Sequence, residues 1–364
     1  MDEKRLFRIA VLPGDGIGRE IMTVCLEVLH KLENKVGGFS LQFEHLPAGA
    51  EYYLETGKDI SAENFEKARQ ADAILLGAMG LPDIRYPDGT EITPHLTMRV
   101  EFDLFAGVRP VKAYRNVPSP LADPRAADID MIVLRECSEG LFVSRDKGEV
   151  IDDREARDTM VITRHGCERL FDFAFKLARR RKERGGKGMV SCVDKSNVFR
   201  SYAFFRKIFS EKARQYPDIK PDFRYIDAMA LDLVRKPWDY DVLVAENMFA
   251  DVLSDLGGGI IGGMGMAPCA EIGERHALFQ PSHGSAPDIA GTGKANPTAM
   301  ILSAAMMLDY LGDRHGSASC KKGAEILDAV IEKGFAAGRI KPAEFGGPHG
   351  TREVAEIVIE MIDE

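Results

Sequence analysis

The sequence predicts an α/β protein built on largely parallel strands. Short β-rich runs alternate with amphipathic stretches of helical length, the pattern left by crossover connections between parallel strands. At 364 residues, 45% hydrophobic and 29% charged, the chain has the composition of a soluble globular protein and the length for two domains. Regular elements, not loops, carry most of it.

In chain order, residues 6–12 read as a buried strand, followed by a helix over 18–32. Further strands fall at 40–46 and 73–76, with a helix over 62–70 between them and Ser61 as its cap. The runs 131–134, 188–193, 222–226 and 242–245 repeat the pattern, each but the first leading soon into a helical segment. Near the end, Asn296 reads as an N-cap and Pro297 as the first position of a strong helix. The segment 140–163 breaks the rhythm, with two short apolar patches around a highly charged middle. It reads as a surface loop or as a β-arm pairing with another subunit. No linker divides the chain cleanly, so two domains require more than one crossing.

Charge and cysteines narrow the partners. Against 48 basic residues stand 57 acidic ones, a net charge of −9, which argues against nucleic acid. The one dense basic run, 179–184, reads as a solvated helix end with cations facing the carbonyl dipole. Six scattered cysteines show neither zinc spacing nor a redox pair, and reduced thiols fit a cytoplasmic protein. The N-terminus is too short in apolar residues for a signal peptide, and no run could span a bilayer.

Four groups of residues could carry chemistry. Asp251 and Asp255, in a helix after the 242–245 strand with Asn247 as its cap, project from one face a turn apart. Their mutual repulsion is relieved by a hard cation such as Mg²⁺ or Mn²⁺, or else by solvent on an exposed face. Lys195 follows a strand between Asp194 and Asn197 and reads as a base near a metal or as a surface lysine. Arg99, Arg109 and Arg135 lie in or beside apolar runs. They suit carboxylate clamping, or ion pairs with Glu101, Asp103 or Glu136. The polar loop before Asn296 suits a nucleotide, but only weakly. Gly14, Gly16 and Gly18 give G-x-G-x-G, which matches neither the dinucleotide fingerprint nor a P-loop.

Together, LPGDGIG, DLFAxxRP, VDKxN, xDAMA, the strand–NxFxDxLSD block and HGSAPDIAG resemble the β-decarboxylating dehydrogenases. That family acts on isopropylmalate, isocitrate, homoisocitrate, tartrate and D-malate, and the match is collinear from residue 12 to about 305. The resemblance implies an isopropylmalate dehydrogenase-like fold of two domains with mixed, largely parallel sheets, not a Rossmann fold. Residues 1–104 and 262–364 would form the first, cofactor-side domain, and 105–261 the second, which carries the dimer interface and the arm near 140–163. The active site is expected in a cleft shared by two subunits of a homodimer.

The resemblance also assigns roles. Arg99, Arg109 and Arg135 match a clamp on malate-like carboxylates, while Asp227, Asp251 and Asp255 match metal ligands drawn from two subunits. Lys195 matches the catalytic residue that takes the hydroxyl proton through water, Asp227 is counted with it as catalytic, and Asn197 lies near the nicotinamide. His283, Gly284, Ser285, Ala286, Ile289 and Asn296 match an adenosine pocket. Asp288 matches an acid on the ribose hydroxyls and favours NAD over its 2′-phosphorylated form.

Two departures stand out. Where the family has a proton-donating tyrosine, this chain has Phe142. Ahead of Arg99, His95 and Leu96, with Thr93 nearby, suggest a more polar pocket for the substrate's variable group than isopropylmalate enzymes have. The expected activity is NAD- and metal-dependent oxidation of a 3-substituted malate-type 2-hydroxy acid (3-isopropylmalate, tartrate or malate-like) with decarboxylation. Phe142 leaves open oxidation without CO₂ loss, or a metal-dependent lyase or decarboxylase on the same scaffold. A non-catalytic regulatory subunit would have no chemical need of Lys195 and the three aspartates.

Overall fold

Strands such as Ala73–Ala78 and Val242–Ala245 form where β-branched and aliphatic residues run together, and helices such as Ile17–Val36 where apolar residues recur on one face. The computed structural model describes residues 5–145 and 147–364; residue 146 of the charged segment lies outside them. Among the described residues the first strands are β1 (Arg5–Gly14), β2 (Phe39–His45), β3 (Ala73–Ala78) and β4 (Ala106–Lys112). Next come β5 (Asp130–Glu136), β6 (Glu149–Ile151), β7 (Glu155–Arg157) and β8 (Met189–Asp194). The last are β9 (Lys220–Tyr225), β10 (Val242–Ala245), β11 (Pro268–Ile272) and β12 (Ala277–Pro281). The early helices are α1 (Ile17–Val36), α2 (Ala50–Thr56), α3 (Ala62–Gln70) and α4 (Pro94–Glu101). The middle of the chain carries α5 (Arg164–Glu183), α6 (Arg200–Ala213), α7 (Ile226–Arg235) and α8 (Asn247–Ile260). The chain ends with α9 (Thr298–His315), α10 (Ala318–Ala336) and α11 (Thr351–Asp363).

Two compact units result. The first takes the described residues of Met1–Phe102 with Tyr114–Pro118 and Gly262–Glu364. Its strands run in the order β2-β1-β3-β12-β11, all parallel except β11, which is antiparallel to β12. Helix α1 packs on α11, α9 and α10, burying Ile21, Val28 and Leu32 completely. It runs a turn beyond the predicted 18–32 because Glu33, nearly buried, accepts from Ser40 Oγ (2.7 Å) and Leu41 N (3.3 Å) at the start of β2.

The glycine-rich turn after β1 is a backbone joint. Gly14 has φ +74°, and a Cβ there would stand 1.7 Å from the Ala78 carbonyl of β3; at Gly16 (φ +54°) it would stand 2.2 Å from the Ser285 carbonyl. Between them, buried Asp15 accepts from Ala50 N (2.8 Å), Glu51 N (2.9 Å) and Gly80 N (2.8 Å). One carboxylate therefore ties the α2 N-terminus to the loop after β3.

The second unit takes Asp103–Ala113 and the described residues of Ser119–Ile261. Its strand order is β4-β5-β10-β8-β9, parallel except for β4 against β5. Helices α5 and α6 bury Phe171, Phe175, Phe205 and Phe209, with Phe171 edge-on to Phe205 at 4.6 Å. The basic run that ends α5 is tied down rather than simply solvated. Arg179 pairs with Asp218 (2.5 Å) and Arg181 with buried Asp241 (2.6 Å), while Lys182 donates to the Asp218 carbonyl. In the irregular segment, β6 and β7 form an antiparallel hairpin whose residues are all exposed. All six cysteines are free and buried, and no described helix is long and apolar enough to cross a membrane.

Candidate active site

In the second unit, β10 delivers the chain directly into α8. The cap is Glu246, accepting from Met248 N (3.2 Å), not Asn247 as the sequence suggested. Asn247 is otherwise engaged: its amide donates to the Glu139 carbonyl (3.0 Å) and accepts from Arg135 Nε (2.9 Å). Burial pushes the Glu246 carboxyl up, against the Met248 N–H and the Tyr202 hydroxyl, which donates to it at 3.0 Å.

A turn further on, the acid pair meets two guanidinium groups. Arg109 Nη1 lies 2.9 Å from Asp251 and 3.8 Å from Asp255, and donates to Ser254 Oγ at 2.6 Å. Arg135 Nη1 also bonds Asp251, and its guanidinium carbon sits 5.3 Å from the centre of the Phe142 ring. Both arginines are nearly buried, yet Asp251 and Asp255 keep 43% and 61% of their side-chain surface. The Asp255 carboxyl is pushed up by desolvation and by Asp251, with Arg109 opposing. The acids are anchored below and open above.

Lys195 stands in the turn after β8. Asp194, fully buried, accepts from Ser196 N (2.8 Å) and Arg206 Nε (2.7 Å), and the Lys195 carbonyl accepts from Val198 N and Phe199 N. The turn is thereby fixed. Lys195 Nζ lies 2.5 Å from Asp227, whose carboxyl it holds below the ordinary aspartate range by hydrogen bonding. Asn197 is exposed two residues along. Asp227 does not join Asp251 and Asp255 in one group: among the described residues no set of three or more His, Cys, Asp or Glu is arranged to hold a metal.

In the first unit, Arg99 lies one turn after His95 on α4, and His95 and Leu96 are half-buried. Arg99 reaches an acid far away in sequence. Its Nε donates to Glu271 Oε2 at 3.0 Å and its Nη2 to Oε1, with Glu271 on β11 fully buried. Gln280 Nε2 on β12 adds a hydrogen bond to the same carboxylate at 3.0 Å.

The loop before α9 lines a pocket of about 300 Å³ with Ile17, Gly265, His283, Ala286, Ile289, Asn296 and Glu344. His283 Nε2 is buried there without a hydrogen-bond partner, and burial holds the imidazole below its ordinary pKa. Pro297 occupies the N-cap position of α9, one residue later than expected, and Asn296 Oδ1 accepts from Thr298 N (3.2 Å) and Oγ1 (2.7 Å). The Asn296 amide donates to Glu344 (2.9 Å). Ser285 turns inward, with its carbonyl accepting from Ile17 N and its hydroxyl bonding the Gly80 carbonyl. The Gly284 carbonyl accepts from the Nδ1–H of His283 at 2.9 Å, and Asp288 is exposed in a short 3₁₀ turn.

Sequence reasoning missed Ser254, Glu271, Gln280, Ile17 and Glu344. Ser254 alone had a local signal, since it stands three residues after Asp251 on one helix face. The others belong to elements far away in sequence.

Comparison with known proteins matches the chain to one group. The family model for "Isocitrate/isopropylmalate dehydrogenase" matches residues 8–358. A 3-isopropylmalate/3-methylmalate dehydrogenase of Methanocaldococcus jannaschii is 41% identical over 360 residues, covering 99% of this chain and 100% of its own. A probable tartrate dehydrogenase/decarboxylase of Bacillus subtilis is 38% identical, covering 98% of each chain. The crystal structure of isocitrate dehydrogenase from Methylococcus capsulatus superposes with a TM-score of 0.86 at 31% identity, over 98% of this chain and 100% of that one.

Proposed function

Because the chain belongs to the isocitrate/isopropylmalate dehydrogenase family, we propose that it oxidises a 3-substituted malate-type 2-hydroxy acid with NAD and a divalent cation. The observation that carries this reading is the cluster of Arg109 and Arg135 converging on the half-open Asp251 and Asp255. Buried guanidinium groups facing solvent-accessible carboxylates can exchange those carboxylates for a substrate's.

The donor chemistry fits the cation. Asp251 and Asp255 offer hard oxygens on one helix, and Asp227 of a second copy would add another. Mg²⁺ or Mn²⁺ held there supplies a Lewis acid for the substrate hydroxyl and carboxylate. In support of the second copy, Leu231 and Val234 on α7 and Met248 and Val252 on α8 are all more than 40% exposed on helices that pack together. The pocket at His283 fits a flat heterocycle: an orphaned ring nitrogen stands among apolar walls from Ile17, Ala286 and Ile289. Ile17, His283, Ala286, Ile289 and Asn296 would hold NAD there, with Asp288 at the ribose, and the cofactor would supply the hydride acceptor.

In this scheme Arg99, Arg109 and Arg135 orient the carboxylates, His95 and Leu96 meet the 3-substituent, and Asn197 stands by the nicotinamide. Lys195, positioned by Asp227, receives the hydroxyl proton. Phe142 packs its ring on Arg135 and has no proton to give. Protonation after CO₂ loss then falls to water; the alternative that Phe142 favours is oxidation that keeps the carboxylate.

One experiment tests both. NADH and CO₂ are followed together over 3-alkylmalates, tartrate, malate and isocitrate, with and without Mn²⁺. Metal-dependent NADH with equal CO₂ is the expected result, NADH without CO₂ selects the alternative, and no NADH from any acid ends the reading.

A further inference from the structure

We propose that Asn247 is a positioning residue for the reaction: its uncharged amide fixes the direction in which Arg135 presents its guanidinium to a substrate carboxylate. The inference rests on the reading of Arg135 as a substrate-binding residue. It gives the asparagine of the NxFxDxLSD block a task other than capping, which Glu246 performs.

The observations all lie in the second unit. Asn247 is completely buried and Arg135 keeps 3% of its surface. Arg135 comes from the end of β5 and Asn247 from the first turn of α8. The amide is used at both ends: its nitrogen donates to the Glu139 carbonyl at 3.0 Å, and its oxygen accepts from Arg135 Nε at 2.9 Å. A carbonyl only accepts and a guanidinium N–H only donates, so the amide has one orientation. Three residues after Glu139, the Phe142 ring lies against the same guanidinium, its centre 5.3 Å from the central carbon. One amide therefore ties Arg135 to the loop that carries this ring.

The place of the hold matters, because the contact to be exchanged is elsewhere on the same group. Asp251 meets Arg135 at Nη1, whereas Asn247 holds Nε. A substrate carboxylate can take the place of Asp251 while the Nε bond stays. At Arg109, by contrast, the Ser254 hydroxyl and Asp251 both meet Nη1. A guanidinium aimed in advance has less rotamer freedom to lose when the ligand arrives. Misplacing such a group by about 1 Å can cost about 10²-fold in rate.

The test is a double-mutant cycle of N247A and R135K, read as kcat/KM for the acid that the wild type turns over best. N247A alone should lower it by about 10–100-fold and move the KM for NAD by less than about twofold. In R135K, whose ammonium has no Nε–H to hold, the same N247A should cost less than about threefold. Equal losses in both backgrounds overturn the proposal, since a purely structural asparagine would act alike in either. So does an N247A enzyme within about twofold of the wild type. If R135K turns over too slowly to read, the cycle is taken on the Kd of the acid, by calorimetry with Mn²⁺. Should N247A not fold, N247S replaces it, its hydroxyl being too short to span both partners. Absence of wild-type turnover with every acid counts instead against the dehydrogenase reading itself.

Discussion

Arg99 and the Arg109–Arg135 pair meet carboxylates in opposite settings. Glu271 is fully buried opposite Arg99, whereas Asp251 and Asp255 keep 43% and 61% of their surface opposite Arg109 and Arg135. The arginines hardly differ, since all three are nearly buried. Exposure of the acid is what separates a sealed pair from an open one. A sealed carboxylate cannot leave without stranding a charge in low dielectric, while an open one can return to water and yield its place to a ligand.

The contrast breaks most sharply under truncation. Glu271→Ala removes the buried carboxylate from the Nε and Nη2 edge of Arg99 and should cost about 3–5 kcal/mol of unfolding free energy, read from urea midpoints. Asp255→Ala should stay within about 0.5 kcal/mol, its carboxylate being mostly solvated. Equal losses for the two would erase the distinction. Next in size, Lys195→Ala should lower turnover by about 10²–10⁴-fold and leave the melting temperature unmoved. It belongs with the open group, because its partner Asp227 keeps 67% of its side-chain surface. A stability loss with intact turnover would place Lys195 among the structural pairs.

The smallest expected effect concerns pH and asks whether a buried neutral ring behaves like the sealed pair. Burial holds His283 below its ordinary 6.5, so the folded chain binds this proton later than the unfolded chain does. Its contribution to stability is complete above pH 6.5 and is lost as pH falls below that value. His283→Asn should flatten part of the decline between about pH 7.5 and about pH 5.5. An unchanged slope would show that the ring titrates normally.

Local structure was legible where the signal is local. The helix Ala62–Gln70 begins as read, with Ser61 Oγ accepting from Asn64 N at 3.0 Å, and β10 coincides with the predicted 242–245 run. The cap of α8 shifted by one residue because the Asn247 amide is taken by Arg135 and the Glu139 carbonyl, which sequence spacing cannot reveal. The antiparallel strands β4, β11 and β12 were not anticipated, since their short runs contain Arg, Glu, Gln and Pro among the apolar residues. The charged segment folds as an exposed β-hairpin, with Asp152 and Asp153 at positive φ in its turn. Ion-pair partners were the least legible. Arg99 has Glu101 and Asp103 close by in sequence, yet it selects Glu271.

That choice has a consequence for synthesis. Glu271 lies 172 residues after Arg99, so at about 5–20 residues per second a ribosome adds it roughly 10–30 s later. During that interval Arg99 has emerged without the acid that neutralises it in the finished protein. The whole second unit is translated in between, and it can fold while the first is still half made. The pairing of Arg99 with Glu271 therefore waits for the second half of the first unit, which begins with β11.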